Sequence, residues 1–187
     1  MRSRDFSQSG PYNMTQSALC IAALIVSSYI VIAVPFTPIT FSLHTVFINI
    51  IGLIMTPWNA AKTVMIYLIM GIIGLPVFSA GTSGPIKLFG PTGGFYFGFL
   101  AAVTVISLLK GKKRSFLKYA LITIFVGLPV QHLFAVMFMC LTNGFDVKTA
   151  LITVSLPFIL TDVFKCIAAS LISVKLNSIS GGKNGAL

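Results

Sequence analysis

The sequence predicts an all-α integral membrane protein of six transmembrane helices, with its N- and C-termini cytoplasmic. Two observations carry that prediction. Of the 187 residues, 56% are hydrophobic and only 9% charged, with a mean hydropathy of +0.98, whereas a soluble domain carries about a quarter charged residues. A soluble core cannot absorb that much apolar sequence. The excess gathers into runs of about twenty residues, the length a helix needs to cross a hydrocarbon layer of about 30 Å. The second observation is that the basic residues sit on alternate connections between these runs, as orientation signals do.

Taken in order, residues 1–13 are polar, carry Arg2 and Arg4, and read as a cytoplasmic N-terminal tail. The apolar run that follows has no small-residue cleavage site, so a removed signal peptide is not expected. Residues 14–176 read as one membrane domain with spans at 14–34, 43–55, 58–75, 92–109, 116–141 and 150–176, and 177–187 as a cytoplasmic C-terminal tail. The second span is short for a full crossing and is expected to be tilted or partly buried. Six crossings collect Arg2, Arg4, Lys62, Lys110, Lys112, Lys113, Arg114, Lys118, Lys175 and Lys183 on one side, ten of the thirteen basic residues, against Lys87 and Lys148 on the other. That side is the cytoplasm. The net charge of +10 is therefore mostly an orientation signal, and no soluble basic face exists for nucleic acid.

Several chemistries are excluded by what is missing. Cys20, Cys140 and Cys166 are isolated in apolar context without metal or redox spacing. With only two histidines, no spacing supports zinc or haem. The chain has no P-loop, nucleophile elbow or paired carboxylates, so neither ATP hydrolysis nor another enzymatic activity is expected, and no cofactor.

The residues that point to a function lie in the sixth span and in the loop over 76–91. In PFILTDVFK, Asp162 and Lys165 stand three positions apart, on one helical face. A charge near mid-membrane costs about 2.5 to 3.5 kcal/mol on translocon scales, so the pair is either a ligand site or a self-satisfied ion pair that helps helices pack. A carboxylate only accepts hydrogen bonds and an ammonium only donates them, which suits a ligand with N–H groups beside a carbonyl, such as a ureido or amide-like group. A carboxylate elsewhere on the ligand would need donors. Lys87, Ser79, Thr82, Ser83 and the glycine amides of the loop PVFSAGTSGPIKLFGP supply them, as does the GPTGG stretch with Thr92, Gly93 and Gly94, which opens the fourth span where free backbone N–H groups favour an anion.

Other polar and aromatic residues admit two readings. Gln131 and His132 follow Pro129 and serve either packing or ligand contact. His44 and Thr45 enter the second span and either line a pocket or cap the helix. Phe36, Phe41, Tyr67, Phe78, Phe95 and Tyr96 form either an aromatic wall or an interfacial belt. Ala18 and Ala22 make a small-xxx-small pair on the first span that lets another helix approach closely.

Four segments together give a family resemblance: VPFTPITFSLHT (34–45), GIIGLPVFSAG (71–81), GPTGGFYFGF (90–99) and PFILTDVFK (157–165). In that order they resemble the BioY family, the biotin-binding S components of energy-coupling factor transporters. The resemblance implies the six-helix S-component fold, capture of biotin from outside, and docking on a membrane T component driven by two cytoplasmic ATPases. It implies that Asp162 and Lys165 bind the ureido ring and that Ala18 and Ala22 face the T component. This chain departs from the family where glutamine usually precedes the threonine of the first motif and His44 stands here. A competing reading is a stand-alone secondary transporter for biotin or a related small molecule, with Asp162 as its ion site.

Overall fold

The computed structural model describes residues 10–33, 40–90, 92–111 and 115–182. It is a helical bundle with one short β ribbon. α1 (Gly10–Tyr29) leads to β1 (Val31–Ala33), which pairs antiparallel with β2 (Thr40–Ser42) in the register Val31↔Ser42, Ile32↔Phe41, Ala33↔Thr40. α2 (His44–Ile54), α3 (Pro57–Ile72), the short α4 (Pro85–Phe89) and α5 (Gly93–Leu109) follow. Two long rods complete the chain, each carrying one wide π turn. The first runs α6 (Phe116–Ile122), π turn (Thr123–Gly127), α7 (Leu128–Asn143); the second runs α8 (Val147–Ala150), π turn (Leu151–Ser155), α9 (Leu156–Gly182).

The ribbon departs from a purely helical expectation. Chain that has left a helix must still pair its backbone N–H and C=O groups, and β-branched Val31, Ile32 and Thr40 suit a strand pair. The π turns have a sequence cause. Each lies immediately upstream of a proline, Pro129 in one rod and Pro157 in the other, whose ring lacks an N–H and crowds the carbonyl four residues back. An inserted residue relieves that crowding at the cost of a local kink.

Both rods are long and apolar enough to cross a membrane, and α2 and α5 are apolar but shorter. α2 spans only about 16 Å at 1.5 Å per residue, and nine of its eleven residues are buried. It is the central post, packed against α1, α3, α5 and α9. The core around it joins Leu24, Ile48, Ile51, Val64, Tyr67, Tyr96, Phe99 and Val103. Leu19, Val26, Met65, Ile69, Phe125, Leu133, Leu160 and Phe164 remain exposed, the apolar surface a bundle presents to lipid.

Because α2 ends inside the bundle, its last carbonyls need partners from neighbouring helices. Asn177 Nδ2 donates to Leu53 O at 3.2 Å and to the Tyr119 hydroxyl at 3.1 Å. Ser107 Oγ and Lys110 Nζ both donate to Met55 O. Asn177 is thus helical and anchored, so α9 runs past the boundary expected at 176. Lys110, counted in the sequence as an orientation charge, is also the cap of the central helix.

Glycine sets the closest approach in the bundle. A Cβ at Gly94 would stand 2.6 Å from Phe134 O, and one at Gly98 would stand 2.9 Å from Gln131 O. The four-residue spacing lets α5 lie backbone to backbone on α7, the close packing that membrane helices use in place of a hydrophobic drive. Gly98→Leu is expected to destabilise the protein by about 2 kcal/mol through overpacking, seen as a lower thermal midpoint in detergent. Gly10→Ala, where the added Cβ meets nothing within 4 Å, is the control expected to leave it unchanged.

Candidate functional site

At the end of the bundle that carries α4 and the start of α5, a pocket of about 510 Å³, counted out to its open mouth, lies between α2, α5, α9 and the loop after α3. α5 contributes Thr92, Phe95, Tyr96 and Phe99, whose spacing puts them on one helical face over about 10 Å of depth. α9 contributes Phe158, Asp162 and Lys165, again at helical spacing, and Ser42, Thr45, Ser79 and Lys87 complete the lining.

Asp162 and Lys165 are both buried. Lys165 Nζ lies 2.8 Å from Asp162 Oδ1, and His132 Nε2 lies 3.2 Å from Asp162 Oδ2. A carboxylate has only lone pairs to offer, so His132 Nε2 carries the proton it donates. Its Nδ1, 3.2 Å from Ser155 Oγ, then accepts from the serine hydroxyl in the neutral ring. The two π turns bring this triad together: one precedes His132 by a turn, and the other ends on Ser155. Each carboxylate oxygen keeps further lone-pair capacity towards the pocket.

The two ends of the pocket differ in polarity. Near its mouth, Tyr96 accepts the Ser79 backbone N–H at 3.2 Å and donates its own proton to Ser79 Oγ at 3.3 Å. That leaves the Ser79 hydroxyl proton free to donate into the pocket. Lys87, half-buried on α4, is pulled below the usual lysine pKa by desolvation, a penalty that an anion in the pocket would offset. Donors therefore collect at the mouth, while Asp162 and Lys165 offer an acceptor beside a donor.

Of the residues singled out from sequence, the structure gathers Asp162, Lys165, Lys87, Ser79, Thr92 and Thr45 on this one pocket. Gly93 and Gly94 stand apart from the lining. A Cβ at Gly93 would stand 1.7 Å from Leu88 O, so both glycines serve close packing. Tyr67 stands one layer behind, wholly buried, with its ring 5.8 Å from that of Phe78. Phe78 in turn lies 4.6 Å from Tyr96. Phe36 falls outside the described residues. Ala18 and Ala22 are both exposed on α1, away from the pocket. Sequence reasoning passed over Ser42, Phe99 and Phe158. The last two were within reach of it, since Phe99 is seven residues beyond Thr92 and Phe158 four before Asp162. Ser42 was not, because only the fold turns it inward.

With this geometry in hand, similarity to known proteins becomes informative. The model of the BioY family matches residues 2–181. The chain belongs to the BioY family. Its relatives include the biotin transporter BioY of Thermotoga maritima, 30% identical over 89% of this chain and 96% of that protein. The biotin transporter BioY2 of Lactococcus lactis is 32% identical over 88% of this chain and 90% of that protein. A crystal structure of the S-component for biotin from an ECF-type ABC transporter superposes with a TM-score of 0.83 at 24% identity, covering 89% of this chain and 90% of that one. That likeness shows a shared fold. As a BioY-family member with an S-component fold, the chain is a multi-pass protein of the cytoplasmic membrane.

The buried triad yields a stability test without any ligand. Asp162→Leu removes the carboxylate half of the buried ion pair with Lys165, and removing one partner of such a pair costs about 3 to 5 kcal/mol. Asp162→Leu combined with Lys165→Met is expected to recover most of that loss in a thermal melt. A single variant as stable as the double would refute the pairing.

Proposed function

We propose that this BioY-family chain is the high-affinity substrate-binding subunit for biotin uptake, taking biotin from the outer face and delivering it with an ATP-driven energy-coupling module. The observation that carries this reading is the pocket's polarity. Biotin is a ureido ring, with two N–H groups and a carbonyl, joined through an apolar ring and chain to a carboxylate. Asp162 accepts a ureido N–H and Lys165 donates to the ureido oxygen. The rings of Phe95, Tyr96, Phe99 and Phe158 flank the apolar middle, and Lys87, Ser79 and Thr92 meet the carboxylate.

Orientation belongs to the same proposal. Ten basic residues against two favour six crossings with cytoplasmic termini, and in that arrangement the mouth of the pocket opens outward. The chain lacks ATPase motifs, so turnover falls to partners: a membrane T component and two ATPase subunits. The exposed pair Ala18 and Ala22, with no bulky side chain to hold a partner helix away, is the docking stripe on α1.

Purified protein is expected to bind biotin tightly without ATP, and Asp162→Asn or Lys165→Ala to weaken binding at least about tenfold. Undiminished affinity in both variants would sink the reading. Binding also carries a pH signature from Lys87. Its ammonium is disfavoured by burial in the free protein and favoured by a bound carboxylate, so its pKa rises on binding. The added affinity is therefore complete below the free-state pKa and is lost as pH rises through the bound-state value. Titrating affinity against pH should show a fall beginning below the ordinary lysine range, and Lys87→Ala should flatten it.

A further inference from the structure

Behind the pocket wall runs a hydrogen-bonded chain whose direction can be read from its far end. Tyr67 Oη donates its single proton to Val77 O at 2.9 Å. His44 Nε2 lies 2.7 Å from the same phenol oxygen, which can now only accept, so Nε2 carries a proton. The imidazole is wholly buried, with its ring stacked 6.0 Å from Phe99, and burial favours its neutral form. Nδ1 is then bare, and Ser42 Oγ at 3.1 Å donates to it. Ser42 lines the pocket with its proton already committed behind the wall. What it presents to a ligand is lone pairs alone.

From this we infer that His44 is a positioning residue. Held in one tautomer by Tyr67, it turns the Ser42 hydroxyl into an obligate acceptor for a ligand N–H. The inference rests on the biotin reading above and deepens it. A ureido group has two N–H donors and one carbonyl; Asp162 takes one donor, Lys165 the carbonyl, and Ser42 the second donor. A side-chain amide in place of His44 could turn either its oxygen or its nitrogen towards Ser42, leaving the polarity of that hydroxyl open. A histidine whose other nitrogen is anchored on Tyr67 does not. Tyr67, which touches no ligand here, thereby governs a contact on the far side of His44.

A double-mutant cycle on biotin affinity tests this, with monodisperse detergent-purified protein in every arm. Ser42→Ala is expected to weaken biotin about tenfold, the scale of one buried hydrogen bond with an unpaired donor left behind, and Ser42→Thr to restore it. Tyr67→Phe removes the acceptor of the His44 Nε2 proton, which lets the ring adopt its other tautomer and donate to Ser42. It should also weaken biotin about tenfold, but by less than about twofold in the Ser42→Ala background, because both act through one contact. A merely structural role for Tyr67 would give the same factor in both backgrounds and overturn the inference while leaving the biotin reading intact. Ser42→Ala binding biotin like the unmodified protein overturns it too, and does not depend on Tyr67→Phe being obtainable. If the unmodified protein itself does not bind biotin, the reading beneath fails and takes the inference with it.

Discussion

The structure depends on one constraint, that a carboxylate buried among apolar helices must find partners from the protein around it. Asp162 is one of only three acidic residues in the chain and is buried in its longest rod. Lys165 answers from one turn along the same helix, but His132 has to come from another, 30 residues back in sequence. That reach fixes how α7 lies against α9. The wide turns before Pro129 and Pro157 are then more than tolerated irregularities. They directly precede the helices that carry His132 and Asp162, where His132 meets Asp162 and Ser155 meets His132, a network in which each member orients the next. A half-satisfied network in this setting would cost more than an apolar core.

The same constraint explains the central helix. α2 is too short to reach both surfaces, and it stops where its last carbonyls face neighbouring helices instead of water. Asn177, Ser107 and Lys110 converge on Leu53 O and Met55 O, from α9, α5 and the turn beyond α5. The post that positions His44 and Thr45 at its upper end is therefore held at its lower end by three other segments. A disturbance at either end has a mechanical route to the other through eleven mostly buried residues.

Much of this was legible in the sequence, and the parts that were not share a cause. Apolar runs read out the helices because hydropathy is a local property of a stretch of chain. Asp162 and Lys165 stood out because their cost in hydrocarbon does not depend on neighbours. Phe99 and Phe158 were recoverable from helical spacing alone. The β ribbon, the roles of Lys110 and Asn177, and the service of His132 to Asp162 were not, because each is a pairing between segments dozens of residues apart. Gly93 and Gly94 show how two roles can share one sequence signal. Glycines in a loop-to-helix junction suggest an anion cradle, and the same glycines let Leu88 and α7 approach closely; nothing local distinguishes a glycine that faces a ligand from one that faces a helix.

Selectivity in such a pocket follows from polarity more than from shape. An aromatic wall discriminates weakly between ligands of similar size, since a methylene more or less is worth only about 1 to 3 kcal/mol. A site whose donors and acceptors are already committed discriminates strongly, because a mismatched group leaves a buried polar atom unpaired. Here the commitment is made by side-chain pairs within the lining and behind it. Tyr96 bonds Ser79, His132 and Lys165 bond Asp162, and His44 bonds Ser42. Those pairs set the pattern of protons and lone pairs that the lining presents. The ligand best matched is the one whose own pattern is the complement, end for end.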